Sequence, residues 1–279
     1  IGVRLVGSEM CIRDRPKPRF TVGITDDVTH LSLSVDPDFR VPSPFLSAVF
    51  FGLGSDGTVG AAKNSVKIIG EQPDADAQGY FVYDSRKAGA STVSHLRFGQ
   101  GTIKSTYLIT EADFVAVHFF DLLRTMPTLD LAKPGATVLL NAPCPPEQVW
   151  DRLPVEVQAI VLEKQLKLYS IQADLVAREA GLGKRINTVM QPCFFYLSGV
   201  VPQDQAITKI KEAVEKTYGK RGRLIVERNF AAIDAAIGAL HEVPIPGRGE
   251  ANHSHPHSGP GAAHGIHRCL LYTSPSPRD

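Results

Sequence analysis

Phe50-Phe51-Gly52-Leu53-Gly54-Ser55-Asp56-Gly57-Thr58-Val59-Gly60 is the stretch that decides the fold we expect for this chain. The apolar run Phe45 to Phe51 predicts a buried strand, and the pattern from Ala61 to Ile69 predicts a helix. A glycine-rich turn between a strand and a helix has a physical use. Bare backbone lets a ligand approach closely, and the helix start offers free N–H groups to an anion.

The glycines follow the Gly-x-Gly-x-x-Gly spacing at Gly52, Gly54 and Gly57. We expect Gly60 to let the helix lie close to the sheet. This spacing predicts a turn that binds phosphate. The alternative is a tight turn that holds no ligand.

The order of the remaining patterns indicates the fold class. Strands alternate with helices from Phe45 to Gly181, which predicts an α/β, three-layer, Rossmann-like domain with a mainly parallel sheet. The rest is a helical C-terminal portion. Val189 to Val201 is apolar nearly all round and predicts a buried helix, whereas Gln203 to Tyr218 is amphipathic.

Charged and polar residues follow several predicted strands. Tyr80 to Tyr83 is a short strand that leads into Asp84-Ser85-Arg86-Lys87. In a nicotinamide-binding fold, an acid at this point would hold the ribose hydroxyls, and the two cations after it favour an additional phosphate. The alternative is a solvated loop. We also expect Asn141 at the ligand-binding rim of the sheet, and a structural role for His95.

Composition excludes several classes of protein. The 279 residues are 43% hydrophobic and carry a net charge of +1, so nothing points to nucleic acid or to a membrane surface. The four cysteines include no Cys-x-x-Cys pair, which excludes an iron–sulfur or zinc framework in this chain and suits a reducing cytosol. We expect Cys144 and Cys193 to be isolated buried thiols.

The two ends of the chain look foreign to it. Leu5 to Arg15 and Cys269 to Asp279 resemble translated sequencing-adapter DNA, and the first end lacks the apolar core of a signal peptide. We interpret the chain as an adapter artefact at 1–15, the tail of a preceding domain with a connector at 16–43, and the main domain at 44–242. A linker rich in Pro, Gly and His follows at 243–267, and a second artefact at 268–279.

Several motifs, occurring in order, resemble the gamma-type domain of pyruvate:ferredoxin (flavodoxin) oxidoreductases. The glycine stretch with Lys63 to Gly70 carries this resemblance. The later motifs are Gln78 to Ser85, Thr92 to Gly99, Arg185-Ile186-Asn187 with Met190-Gln191, and Thr217 to Gly222. The resemblance covers about Arg19 to Val243 and identifies the chain as a fragment of the single-chain form of the enzyme.

The resemblance implies a share in the oxidative decarboxylation of a 2-oxoacid, with ferredoxin or flavodoxin as electron acceptor. Thiamine diphosphate, Mg and 4Fe–4S clusters would be held by other domains of a cytoplasmic enzyme, a homodimer at full length. This fragment would bind coenzyme A and would not be active alone. Gly54 to Thr58 would hold phosphate, Arg86 would supply a cation, and Asn187 and Asn229 would make polar contacts.

Two other interpretations stay open at this point. The glycine pattern also allows an NAD-binding dehydrogenase domain, and the fragment could equally be a scaffold that binds no ligand. No catalytic residue and no metal ligand is assigned from the sequence.

Deleting residues 1–15 and 268–279 together should leave folding unchanged, because neither segment belongs to the domain pattern. Scanning calorimetry should give the same melting temperature for the trimmed and the complete chain. A loss of 1 kcal/mol corresponds to roughly 2–4 °C at this size, so a fall of more than a few degrees would contradict the interpretation.

Overall fold

The computed structural model describes residues 19–24, 28–36, 39, 41–83 and 90–246. The chain divides after Pro44 into two compact units. In the first, the strands β1 (Thr21–Val22) and β2 (Ser32–Leu33) pair in parallel. The alternation of apolar and polar residues predicts longer strands, at Arg19 to Ile24 and Thr29 to Val35, but among the described residues only these short pieces pair. The adapter-like ends, the linker from residue 247 onward and the segment 84–89 that contains Arg86 lie outside the described residues.

The second unit contains, over its described residues, a seven-stranded sheet. In sheet order the strands are β4 (Ala75–Tyr83), β5 (Ser91–Gln100), β3 (Leu46–Leu53), β6 (Ala112–Val117), β7 (Ala132–Asn141), β8 (Lys167–Ile171) and β9 (His241–Glu242). The four central strands run parallel, from β3 through β6 and β7 to β8. This confirms the predicted α/β class. The sequence predicts a strand at Ser91 to Phe98, which β5 confirms, but not that this strand runs antiparallel between β3 and β4.

Helices cover both faces of the sheet, which gives the three layers that were predicted. They are α1 (Thr58–Gly70), α2 (Leu122–Thr125), α3 (Pro146–Arg152), α4 (Val155–Glu163), α5 (Ala173–Glu179), α6 (Asn187–Ser198), α7 (Gln203–Tyr218) and α8 (Arg223–Ala236). One apolar core packs α1 and α5 to α8 against the sheet, and the other core packs α2 to α4. No helix within the described residues combines the length and the apolar character needed to span a membrane.

Two predictions about helix ends have different outcomes. The sequence after β6 predicts helical material through Leu131, but this segment forms only the short helix α2. The sequence also predicts that α7 stops at Gly219; the α-helix does end at Tyr218, although Gly219 keeps a φ of −53° and the chain continues as a 3-10 turn, Gly219–Arg221. The glycine that leaves the helical region is Gly222, whose φ of +115° is open mainly to glycine.

Phe194 on α6 is the centre of the larger core. Its ring centroid lies 5.0 Å from that of Phe50 on β3 and 5.2 Å from that of Phe114 on β6, both in edge-to-face geometry. Aromatic pairs in this geometry add to the free energy gained from burial alone. These contacts fix α6 to β3, which leads into the glycine turn, and to β6, which lies beside β3 in the sheet.

Replacing Phe194 by Ala should lower the free energy of unfolding by about 3–5 kcal/mol, because it opens a cavity among these rings. Tyr196, on the same helix, is 49% exposed and serves as the matched control. Tyr196→Ala should cost about 0.5 kcal/mol or less. Guanidinium denaturation followed by circular dichroism measures both values. Equal losses in the two variants would show that α6 is not anchored in this way.

The sequence predicts a hydrogen-bonded, structural His95 on β5. The residue is buried, but its Nδ1 has no hydrogen-bond partner in the described part of the chain. Burial, with the nearby charge of Arg97 as a second cause, lowers the pKa of His95 from 6.5 to about 4. As the pH falls, His95 is therefore protonated at a higher pH in the unfolded chain than in the folded chain. The stability that this histidine contributes is complete above pH 6.5 and is lost as the pH falls toward 4.

The wild-type chain should accordingly lose more stability on acidification than a His95→Leu variant. Between pH 7 and pH 5 the losses in free energy of unfolding of the two proteins should differ by about 2 kcal/mol, because the pKa of His95 differs between the unfolded and the folded chain. Urea denaturation at both pH values measures it. Identical losses for both proteins would mean that His95 titrates normally in the folded state.

Candidate functional site

The glycine turn lies at the carboxyl end of β3, where the chain enters α1. A Cβ atom on Gly52 would overlap Thr58 Oγ1 and would lie 2.7 Å from Asp56 Oδ2, so only glycine fits there. Gly57 caps the helix with a φ of +93°, and Ser55 also has a positive φ, +76°. The predicted order of strand, glycine turn and helix is confirmed in detail.

The Asp56 side chain points into the turn. Its Oδ2 accepts the N–H of Leu53 and its Oδ1 accepts the N–H of Thr58, each at 2.7 Å. Asp56 thus closes the turn and satisfies the first free donor of α1. This corrects the prediction that Asp56 belongs to a phosphate-binding surface, because its carboxylate would repel a phosphate at that N–H group.

Thr58 is fully buried, and its hydroxyl shares a hydrogen bond of 2.8 Å with Nδ1 of His118. The hydroxyl therefore faces the protein, and the prediction that the turn including Thr58 holds phosphate stays a prediction. His118 itself was missed from the sequence. The available signal was its place directly after β6, since the ends of neighbouring parallel strands meet at one rim of a sheet.

His118 is held on several sides. Its N–H donates to Phe51 O at 2.8 Å, and its ring stacks on Phe50 with 6.0 Å between centroids. Burial lowers the pKa of His118 to about 4, although the charge of Asp56 acts in the opposite direction. The imidazole is therefore uncharged at neutral pH.

The donors left for an anion are the N–H groups of Val59 and Gly60, which have no acceptor among the described residues. Gly60 was expected to pack against the sheet. It is instead exposed, and a Cβ atom there would meet nothing within 4 Å. The first turn of α1 therefore presents bare backbone to solvent, on the side away from the sheet.

This bare backbone faces a cleft between α1, α6 and α7, with a volume of about 210 Å³. Its polar lining includes Gly60, Asn64, Asn187, Gln191, Thr217 and Tyr218. The start of α6 adjoins the start of α1, since a Cβ on Gly57 would lie 2.9 Å from Asn187 Cγ. The structure thus brings two of the predicted site residues, Gly57 and Asn187, together.

Two arginines stack on Tyr218 at the side of this cleft. The guanidinium carbons of Arg185 and Arg221 lie 5.5 Å and 5.7 Å from the ring centroid. Neither arginine was assigned a role from the sequence, although Arg185 precedes Asn187 by only two positions. Gly60 and Asn187, near the starts of α1 and α6, line the cleft, and Tyr218 in its wall is stacked by two cations. Helix N-termini, amides and cations are the groups that bind phosphate.

Asn229, another predicted contact, is fully buried in α8. Its Oδ1 accepts the hydroxyl of Thr188 at 3.1 Å, and its Nδ2 donates to Ile225 O at 2.7 Å. A side chain with both ends engaged and no exposed surface cannot contact a ligand directly. Asn229 instead supports α6 beside Asn187.

Asn141 does lie at the rim of the sheet, but it is buried. Its Nδ2 donates to His118 O at 3.0 Å and to Asp174 Oδ2 at 2.9 Å. Its Oδ1 accepts the N–H of Ala173 at 3.0 Å. Asn141 therefore joins β6, β7 and the start of α5, rather than presenting a polar group to a ligand.

Cys144 and Cys193 are both buried free thiols, as predicted. Burial raises the pKa of Cys193 to about 12, so it is neither a metal ligand nor a nucleophile in this environment. Within the described residues, no group of three or more His, Cys, Asp or Glu side chains could hold a metal ion.

The comparisons with known proteins agree on one family. Residues 47–239 match the family model "Pyruvate ferredoxin/flavodoxin oxidoreductase". The chain is 57% identical over 232 residues to a pyruvate-flavodoxin oxidoreductase from Nostoc sp., in an alignment that covers 83% of this chain and 19% of that protein. The chain thus spans about a fifth of the length of the curated relatives it matches.

Two solved structures share the fold. The gamma subunit of a keto/oxoacid ferredoxin oxidoreductase from Geobacter sulfurreducens superposes with a TM-score of 0.52 at 16% identity, covering 71% of this chain and all of that one. A 2-oxoglutarate:ferredoxin oxidoreductase from Magnetococcus marinus, solved with 2-oxoglutarate, coenzyme A and succinyl-CoA bound, gives a TM-score of 0.55 at 15% identity, over 71% of this chain and 31% of that one. The chain belongs to the pyruvate ferredoxin/flavodoxin oxidoreductase family.

Proposed function

We propose that this chain is the coenzyme A-binding, gamma-type part of a larger pyruvate:ferredoxin or flavodoxin oxidoreductase. In that enzyme a 2-oxoacid and coenzyme A give an acyl-CoA and carbon dioxide, and ferredoxin or flavodoxin takes the electrons. Thiamine diphosphate with Mg and the 4Fe–4S clusters supply decarboxylation and electron transfer from other domains of a homodimer. Family membership, together with a match to only about a fifth of the relatives, supports this division of labour.

One observation carries the proposal: the N-termini of α1 and α6 meet at a cleft that has cations beside it. The N–H groups of Val59 and Gly60 would hold the diphosphate, and Asn187 would contact it from the second helix. Arg185 would add charge next to the same groups. The Magnetococcus structure, which has coenzyme A bound, shares this fold and lends further support.

The cation that we propose for the 3′-phosphate is Arg86. Tyr83 at the end of β4 and Gly52 at the end of β3 both pair with Thr92, from opposite sides of β5. They are therefore about 10 Å apart, at two strand spacings. Tyr83, the last described residue before Arg86, therefore lies at the same end of the sheet as the start of the glycine turn.

The sheet order argues against the dehydrogenase alternative. In a nicotinamide-binding fold, the strand with the ribose-binding acid is a parallel neighbour of the glycine-turn strand. Here the antiparallel β5 separates β3 from β4. The scaffold alternative has one observation in its favour, since the Asp56 carboxylate already satisfies the Thr58 N–H.

Titration calorimetry on the complete chain should show that coenzyme A binds, that 3′-dephospho-coenzyme A binds more weakly, and that NAD binds poorly or not at all. Arg86→Ala should erase most of the difference between the first two ligands. A charge-assisted phosphate contact is worth about 1.5–3 kcal/mol, so the wild-type affinities for these two ligands should differ roughly tenfold or more. Arg185→Ala should weaken both ligands alike, because it is proposed to contact the shared diphosphate.

Gly60 offers a control in which stability and binding move in opposite directions. Gly60→Asp puts a negative charge in the first turn of α1, which favours the helix but repels a phosphate. Gly60→Asp should not lower the melting temperature. It should, however, reduce the affinity for coenzyme A at least about tenfold more than Gly60→Asn does. NAD binding more tightly than coenzyme A would favour the dehydrogenase, and no binding of either would favour the scaffold.

A further inference from the structure

The pair formed by Thr58 and His118 is not explained by the fold alone. Thr58 is the first residue of α1 and is fully buried, and its hydroxyl reaches His118 Nδ1 at 2.8 Å across sixty positions of sequence. The missing Cβ of Gly52 leaves the space that the Thr58 side chain occupies. Two elements distant in sequence therefore converge on the residue that starts the helix.

The His118 ring is fixed independently of Thr58. Its backbone N–H is bonded to Phe51 O on β3, its carbonyl accepts from Asn141 Nδ2, and its ring stacks on Phe50. The imidazole therefore cannot follow a movement of the turn. It acts as a fixed point on the sheet, against which the start of α1 is aligned.

We propose that His118 is a positioning residue for anion binding, and that its hydrogen bond to Thr58 orients the next two N–H groups of α1, those of Val59 and Gly60, toward the ligand. This inference rests on the proposed function, because it concerns the same binding turn. His118 does not touch the ligand. It acts indirectly, because its hydrogen bond to the Thr58 hydroxyl positions the backbone N–H groups that contact the ligand.

The alternative is that the pair only stabilises the domain. That role would lower the melting temperature of a variant without changing the affinity of the folded protein. Burial keeps the pKa of His118 near 4, so the hydrogen bond is available throughout the range in which binding is measured. The charged group that faces His118 is Asp56, and the two N–H bonds to Asp56 fix its position.

Matched substitutions separate the two roles. Thr58→Val and His118→Leu remove the hydrogen bond, whereas Thr58→Ser and His118→Asn keep a polar group at the same point. Calorimetry with coenzyme A on the complete chain should give about 5–10-fold weaker binding for the first two and less than about twofold for the other two. The double variant Thr58→Val/His118→Leu should bind no more weakly than either single one.

Val161→Ala is the stability control, since Val161 on α4 is buried in the core on the other face of the sheet and does not touch the turn, α6 or the His118 ring. It should lower the melting temperature and leave the affinity for coenzyme A unchanged. Wild-type affinity in Thr58→Val and His118→Leu would overturn the inference. Additive losses in the double variant would do so as well, because the two side chains would then act separately.

A second readout does not depend on coenzyme A. Amide NMR spectra titrated with inorganic pyrophosphate should show the Val59 and Gly60 signals shifting in the wild-type chain, and shifting much less in Thr58→Val and His118→Leu. This result would support the inference even if coenzyme A itself failed to bind, which would count only against the proposed function. Unmoved signals in the wild type, or equal shifts in all three proteins, would overturn the inference.

Discussion

The structure depends on the way the Asp56 carboxylate closes the turn between β3 and α1. One oxygen accepts the N–H of Leu53, where the strand ends, and the other accepts the N–H of Thr58, where the helix begins. These two bonds are possible only because Gly52 has no Cβ, which would otherwise overlap the Thr58 hydroxyl. The direction in which α1 leaves the sheet is thus set by the protein itself. A ligand would find the first turn of the helix already formed.

The parallel pairing of β3, β6 and β7 builds a buried polar layer beneath that turn. His118 follows β6 and reaches Thr58, while Asn141 at the end of β7 bonds the His118 carbonyl. Thr58 Oγ1, His118 Nδ1 and both ends of the Asn141 amide each have a hydrogen-bond partner, as buried polar groups require. These bonds couple the position of α1 to β6 and β7.

The sequence was sufficient for the features that arise locally. Strand, glycine turn and helix follow one another within a few residues, so the β3–α1 unit could be predicted from spacing. The role of His118 could not, because it depends on the register between strands far apart in sequence. The same holds for Asn229, whose burial between helices is decided by packing, and for β5, whose antiparallel place in the sheet no local pattern encodes. Gly60 was misplaced because spacing does not say which side of a helix faces the sheet.

The electrostatics of the turn constrain any anion that binds there. A helix N-terminus carries about half a positive charge, and the Asp56 carboxylate next to it carries a full negative one. The balance at the turn is therefore negative, and the helix dipole alone would not attract a phosphate. The N–H groups of Val59 and Gly60 can still direct a bound anion, but the attraction must come from cations outside the helix. Arg185 and Arg221, both stacked on Tyr218, are the cations nearest to the cleft wall that the contacts of Tyr218 show. Under the proposed function, different parts of the chain would supply orientation and attraction: the first turn of α1 would select the geometry, and the arginines would supply the charge.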